Sequence, residues 1–310
     1  MPGQKASYVT LDVFTSQRFK GNPVAIVMLS NIKLSQEQKQ QIAKEFNFSE
    51  TVFLHPATGD LEIFTPVNEM EFAGHPIIGT GHFLFRQAVA DGPNPSNTLT
   101  VMTKAGPVLI SYDPANEVVS AEVPHDIHIH QQGATLSHIL PVQAGLRAVS
   151  DLQGLTETSP VVSVVKGVTY ALMDLTERPD IFANIVPGGS PDLDLDKGWS
   201  PSFTGVMYHQ HLGSRTEGDL VIWNLRVRMV AIDLEDPACG SGGSSLGAYL
   251  ALSNGQKGQN HRFYIDQGIE MGRDSRIIVD VLLDEDKKKV STIKLAGHAA
   301  FVAEGSIFVD

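Results

Sequence analysis

The chain has 310 residues, a formal net charge of −12, and 42% apolar against 19% charged side chains. That length exceeds what a single core usually serves, so two domains of about 150 residues are the first expectation. The acidic balance excludes an extended nucleic-acid-binding or anionic-membrane surface, but not a small anion held by backbone dipoles.

The first thirty residues carry Asp12, Arg18, Lys20 and Asn22, with no apolar core of signal-peptide length. The apolar run Val24–Leu29 is too short to span a bilayer, and a soluble cytoplasmic protein is expected. Tyr8–Phe14 reads as a strand, and Gly21-Asn22-Pro23 as a turn into the strand Val24–Leu29. A helix opens after Ser35, its N-cap, and runs to about Phe46. Short strands follow at Thr51–Leu54 and Leu61–Thr65. The spacing then predicts a helix over Pro76–Val89, with proline near its start and Gly79 and Gly81 among bulky apolar residues. Glycine lowers helix propensity, so neighbours are expected to approach this helix closely on more than one side, as a curved sheet around it would.

Asp91–Ser96 reads as a surface loop, and Leu99–Thr103, Val108–Tyr112 and Val118–Val123 as a meander. Pro124–Gln132 reads as the crossing into a second unit; its His125, His128 and His130 have no evident partner cluster in the sequence, and no metal is expected there. Strands are predicted at Val161–Lys166, Tyr170–Leu175, Gly205–Gln210 and Leu220–Val230, with a short helix at Arg178–Ile185. A second helix over Gly242–Ser253 follows a glycine turn. After a loop at Asn254–Gln259, the strands His261–Gln267, Ser275–Leu283, Val290–Leu295 and Ala300–Ala303 close the chain, with a charged hairpin turn at Asp284–Lys289. Strands outnumber helices without regular alternation, which excludes a doubly wound sheet, and neither glycine turn is a dinucleotide or Walker motif.

The two glycine turns look like copies. Displaced by 166 residues, Glu69 falls on Glu235, Gly74 on Gly240 and Leu84 on Leu250. Each acidic strand end runs into glycine and then into an apolar, small-residue helix, whose first N–H groups suit a small anion. Facing one another, two such starts would form a site between similar halves. The residues available for proton chemistry there are Glu50, His75, Asp236, Cys239 and Ser241. Glu50 leads into an apolar strand, where desolvation raises a carboxyl towards the range of a general base. His75 sits at a helix start, either as a hydrogen-bonded cap or as a donor beside substrate. Asp236 either initiates the turn or reaches a ligand, and Ser241 reads as a natural N-cap. Cys239 is the single cysteine, which excludes an intramolecular disulfide and fits a reducing compartment. Its thiol is expected to have a lowered pKa at the helix start if reactive, or to be inert if buried.

Asp12-Val13-Phe14-Thr15, Gly21-Asn22-Pro23, Ser49-Glu50-Thr51, Phe64-Thr65-Pro66, Phe72-Ala73-Gly74-His75-Pro76, Glu235-Asp236-Pro237-Ala238-Cys239-Gly240-Ser241, Gln267-Gly268 and Met271-Gly272-Arg273-Asp274-Ser275 together resemble the phenazine-biosynthesis PhzF-like family. The resemblance spans about residues 8–304. It implies a diaminopimelate-epimerase-like α/β fold of two pseudo-symmetric domains, each a curved, mostly antiparallel sheet around a central helix. It also implies a domain of residues 1–124 completed by about 285–310, and a second of 125–284. The function implied is a cofactor-independent isomerase, a homodimer, acting on a small carboxylate-bearing molecule. Glu50 would be the proton-shuttling carboxylate, with His75 and Asp236 beside it and Gly74, Gly240, Ser241 and Cys239 lining the substrate. Relatives carry threonine where this chain has Cys239, and Gly-Ser-Ala where it has Gly240-Ser241-Gly242. That stretch resembles the second cysteine motif of diaminopimelate epimerases, although the first half offers no partner thiol. An amino-acid epimerase, racemase or dehydratase using Cys239 is therefore the alternative enzyme reading. A non-catalytic binding protein is the alternative outside enzymes.

Overall fold

The computed structural model describes residues 4–91, 96–255 and 258–309, so the loops expected at 91–96 and 254–259 lie partly outside the described residues. The chain divides into two compact units, Met1–Val123 with Leu295–Asp310, and Pro124–Lys294. Among the described residues no helix is long and apolar enough to cross a membrane.

In the first unit, strand Lys5–Val13 pairs antiparallel with both Asn22–Met28 and the returning strand Ala299–Phe308. Asn22–Met28 runs parallel to Glu50–His55, which pairs antiparallel with Asp60–Phe64. Helix α1 (Gln36–Phe46) begins at Ser35 as expected: the Ser35 hydroxyl accepts the Gln38 N–H, and the Gln38 side chain accepts the Ser35 N–H. It packs its Ile42 and Ala43 on one sheet face, over Val27, Phe53 and Phe64. Alternation along the strand turns Glu50, Val52 and Leu54 to the opposite face. That face belongs to helix α2 (Gly74–Asp91), which lies within the curve of the sheet. The approach on several sides is direct. A Cβ on Gly79 would meet Val24 and Val13 at 2.9 and 3.0 Å, and one on Gly81 would meet Val119 at 2.6 Å and Ile110 at 3.1 Å.

The second unit repeats this connectivity. Val161–Val165 pairs antiparallel with Val168–Asp174, which runs parallel to Phe203–Glu217, and that strand pairs antiparallel with Leu220–Ala231. Three short helices, α3 (Leu136–Ile139), α4 (Ala144–Arg147) and α5 (Pro179–Asn184), belong to this unit. Ile139, Leu146, Ile181 and Phe182 from them cover one face of the sheet over Val206, Tyr208 and Val230. Helix α6 (Gly240–Ser253) takes the other face, with Gly243 against Ile265 and Gly247 against Phe263 and Val279. In both units a short strand, Glu69–Met70 or Leu234–Asp236, precedes the glycine turn and pairs antiparallel with the fourth strand. The strand after the helix then runs parallel to that same fourth strand. Helices α2 and α6 begin at Gly74 and Gly240, the residues that the 166-residue displacement superposes.

Candidate active-site residues

Two registers define equivalent positions in the two units. Glu69 pairs with Phe64 and Phe64 with Thr51, while Glu235 pairs with Val230 and Val230 with Val206. Stepping back one residue along the third strand, Glu50 corresponds to Gly205. Across the parallel pair, Val24 beside Glu50 corresponds to Tyr170 beside Gly205.

In the first unit this register delivers Glu50 to the start of α2. Nε2 of His75 lies 3.5 Å from Oε2 of Glu50, and the side chains keep only 6% and 15% of their surface exposed. Burial pushes the Glu50 carboxyl up to about 7, with a Ser49 hydrogen bond offsetting part of the rise. Such a group is divided between acid and base at neutral pH, which suits a residue that must both take and return a proton. Pro76 has no N–H, so backbone donation from this helix start must come from residues before it.

In the second unit, Asp236 ends its short strand with Oδ1 accepting the Ala238 N–H at 2.9 Å, so it does initiate the turn. A buried ion pair fixes the strand before it: the Arg228 guanidinium donates to both Glu235 oxygens at 2.8 and 2.7 Å. Gln267 braces the turn from the side, accepting the Cys239 N–H and donating to the Asp236 carbonyl.

Here the structure corrects one sequence expectation and decides between the two held open for the thiol. The N-cap of α6 is Cys239, not Ser241; its Sγ accepts the Gly242 N–H at 3.3 Å. Gly240 is the first helical residue and Ser241 the second, which frees the serine hydroxyl from capping. The thiol follows the buried alternative and does not become acidic. Cys239 is 4% exposed, and burial, with the Asp236 charge adding to it, pushes its pKa up to about 12. The helix-end field that lowers thiol pKa values is outweighed once the thiolate loses its hydration. With Cys239 and Gly242 satisfied, the N–H groups of Gly240 and Ser241 are the orphan donors at this helix start.

Tyr170 was not singled out from sequence, because a tyrosine in an apolar strand reads as core. It is 2% exposed, and its Oη lies 2.7 Å from Ser241 Oγ and 3.4 Å from Cys239 Sγ. Its ring fills the space beside Gly205, where a Cβ would meet it at 3.2 Å. The signal lies only in the register that places it opposite a glycine.

The histidines of the crossing segment do have a partner, contrary to the sequence reading. His128, His130 and Asp196 bring ligand atoms within 4.8 Å of one another. Their donors are already committed, however. His128 Nε2 lies 2.8 Å from Asp196, and its ring stacks on Trp199. His130 Nδ1 accepts the Asp196 N–H, which leaves Nε2 to donate to Ser163. The cluster ties the 187–200 segment to the sheet, and its bonds account for every ring nitrogen of His130.

A family model described as phenazine biosynthesis-like protein matches residues 11–160 and 228–305. The trans-2,3-dihydro-3-hydroxyanthranilate isomerase of Pseudomonas aeruginosa is 30% identical over 307 residues, covering 97% of this chain and 99% of its own. Antisense-enhancing sequence 1 of Schizosaccharomyces pombe is also 30% identical, over 98% of this chain and 99% of its own. The crystal structure of the Bacillus anthracis phenazine biosynthesis protein of the PhzF family shares the fold, with a TM-score of 0.73 at 21% identity over 98% of this chain and 99% of that one. With the matched segments, the repeated curved-sheet units and these full-length relatives, the chain belongs to the phenazine biosynthesis-like protein family and is an isomerase.

Proposed function

We propose that this isomerase acts without a cofactor on a small carboxylate, and that Glu50 takes a proton from one carbon and returns it to another. The observation carrying the reading is the Glu50 carboxyl, desolvated to a pKa of about 7 and 3.5 Å from His75. A single base at that pKa holds the proton between the two steps without a second acid. His75 and Asp236 are assigned to the amino or hydroxyl substituent of the substrate. The donors at Gly74, Gly240 and Ser241 are assigned to its carboxylate, for which helix starts are suited.

The alternative with Cys239 as a base is opposed by a thiol pushed up to about 12. It is also opposed by Ala73, which occupies the displaced position in the first half.

The first compound to assay is trans-2,3-dihydro-3-hydroxyanthranilate, the substrate in the Pseudomonas relative's name. A thermal-shift screen of small carboxylates, followed by proton-exchange assays in D2O, extends the search. Glu50→Gln keeps the shape and removes the base, so turnover and exchange should fall at least about a hundredfold. An unchanged rate in that variant removes Glu50 from the role.

A further inference from the structure

The equivalence of Glu50 with Gly205 leaves the second unit without a carboxylate where the first has its base. Tyr170, from the neighbouring strand, occupies that space instead and reaches the second residue of the central helix. The contact repeats in position but not in chemistry: Glu50 meets His75 in one unit, and Tyr170 meets Ser241 in the other.

Three groups with one exchangeable proton each, Tyr170 Oη, Ser241 Oγ and Cys239 Sγ, form a triangle with sides of 2.7, 3.4 and 3.6 Å. The protons can be arranged in more than one sense, and the chemistry selects among them. A phenol is a better donor than an aliphatic hydroxyl, and an alcohol oxygen is a better acceptor than a thiol sulfur. The sulfur already accepts the Gly242 N–H. The shortest side is therefore best used with Tyr170 donating and Ser241 accepting. Burial keeps the phenol protonated, its pKa raised well above the ordinary value.

We propose that Tyr170 is a positioning residue, whose O–H donates to Ser241 Oγ and so turns the serine's own proton away from Tyr170, leaving it for a ligand carboxylate, a better acceptor than the Cys239 sulfur that already takes the Gly242 N–H. This rests on the reading above that Ser241 meets the substrate carboxylate. The second unit then supplies a hydroxyl pair where the first supplies a carboxylate, and loss of either hydroxyl breaks the same device.

Two measurements separate this proposal from the reading it rests on. Neutron diffraction of the deuterium-exchanged chain should place the Tyr170 deuteron on the line to Ser241 Oγ, with the serine deuteron pointing elsewhere. A serine deuteron on Tyr170 Oη overturns the proposal, whatever the substrate. Calorimetric titration with anthranilate, a stable aromatic carboxylate, is the second measurement. Tyr170→Phe and Ser241→Ala should each weaken binding about tenfold, and the double variant no further, because the two hydroxyls act as one unit. Full additivity, or an unchanged affinity in Tyr170→Phe beside a weakened Ser241→Ala, counts against Tyr170. If neither variant nor the wild-type chain distinguishes anthranilate from buffer while the deuterons lie as stated, the carboxylate role of Ser241 fails and the orientation stands. Matching melting temperatures of the variants exclude a merely structural loss.

Discussion

At Glu50 the desolvation that the proposed role requires carries a cost to stability. Its folded pKa of about 7 lies above the 4.5 of an unburied glutamate. The unfolded chain therefore gives up this proton first as pH rises. The stability linked to the protonated carboxyl is fully present below about 4.5 and is lost as pH rises through about 7. Removing the charge should reverse that loss: Glu50→Gln is expected to be about 2–3 kcal/mol more stable than the wild-type chain at pH 8. At pH 4.5 the two should coincide. Denaturant melts at both values test this, and equal differences at the two would remove the desolvated carboxyl as the cause. Cys239 makes the opposite case. A buried thiol of pKa about 12 that accepts the Gly242 N–H is a cap, so Cys239→Ser should keep turnover within about threefold. Loss of exchange activity in a folded Cys239→Ser chain would restore the thiol as a base. The desolvation of Glu50 was legible from sequence because a carboxylate led into an apolar strand. The place of Ser241 at a helix start was legible but its freedom from capping was not, since a cysteine can cap a helix through sulfur and capping patterns favour the serine.

At the scale of elements, the central helices were readable because they break a rule. Gly79 and Gly81 in an apolar helix signalled close neighbours, and Val24, Val13, Val119 and Ile110 supply them. Gly81→Ala sets two effects against each other. Alanine gains about 1 kcal/mol of helix propensity, while a methyl group at 2.6 Å from Val119 must displace a packed strand. Overpacking of this kind costs about 1–3 kcal/mol, so a net loss of up to about 2 kcal/mol is expected in a urea titration. A more stable variant would mean that the strand yields easily. Strand lengths were less legible. Phe203–Glu217 continues well past Gln210 because the register shift between His211 and Gly213 interrupts the alternation that marks a strand. Ala299–Phe308 likewise runs beyond Ala303 through Glu304, Gly305 and Ser306, poor strand formers held by pairing with Lys5–Val13. Helices α3 and α4, of four residues each, are too short to show a period.

For the whole molecule, the repeat was visible as a 166-residue displacement of two short motifs, but the return of the chain to its first unit was not carried by periodicity. It depends on pairing between strands almost the full sequence apart, Lys5 opposite Phe308 and Val13 opposite Ala299. Val309 then joins Ala6, Val27 and Phe53 in the core under α1. The first unit, Met1–Val123 with Leu295–Asp310, is thus discontinuous, and the second, Pro124–Lys294, is continuous. The two should respond differently to cutting. A chain ending at Lys294 loses the strand that covers one edge of Lys5–Val13, together with the carbonyl of His298 that accepts the Phe14 N–H. An uncovered long edge leaves backbone groups unpaired and invites association, so this truncated chain is expected to be aggregated or to lack a cooperative melt in its first unit. Residues 124–294 alone retain α6, its enclosing strands and the Arg228–Glu235 pair, and should unfold cooperatively in urea with dispersed amide resonances. A well-folded first unit in the chain ending at Lys294, or a molten 124–294 fragment, would show that the strand pairing across the ends does not decide which unit stands alone.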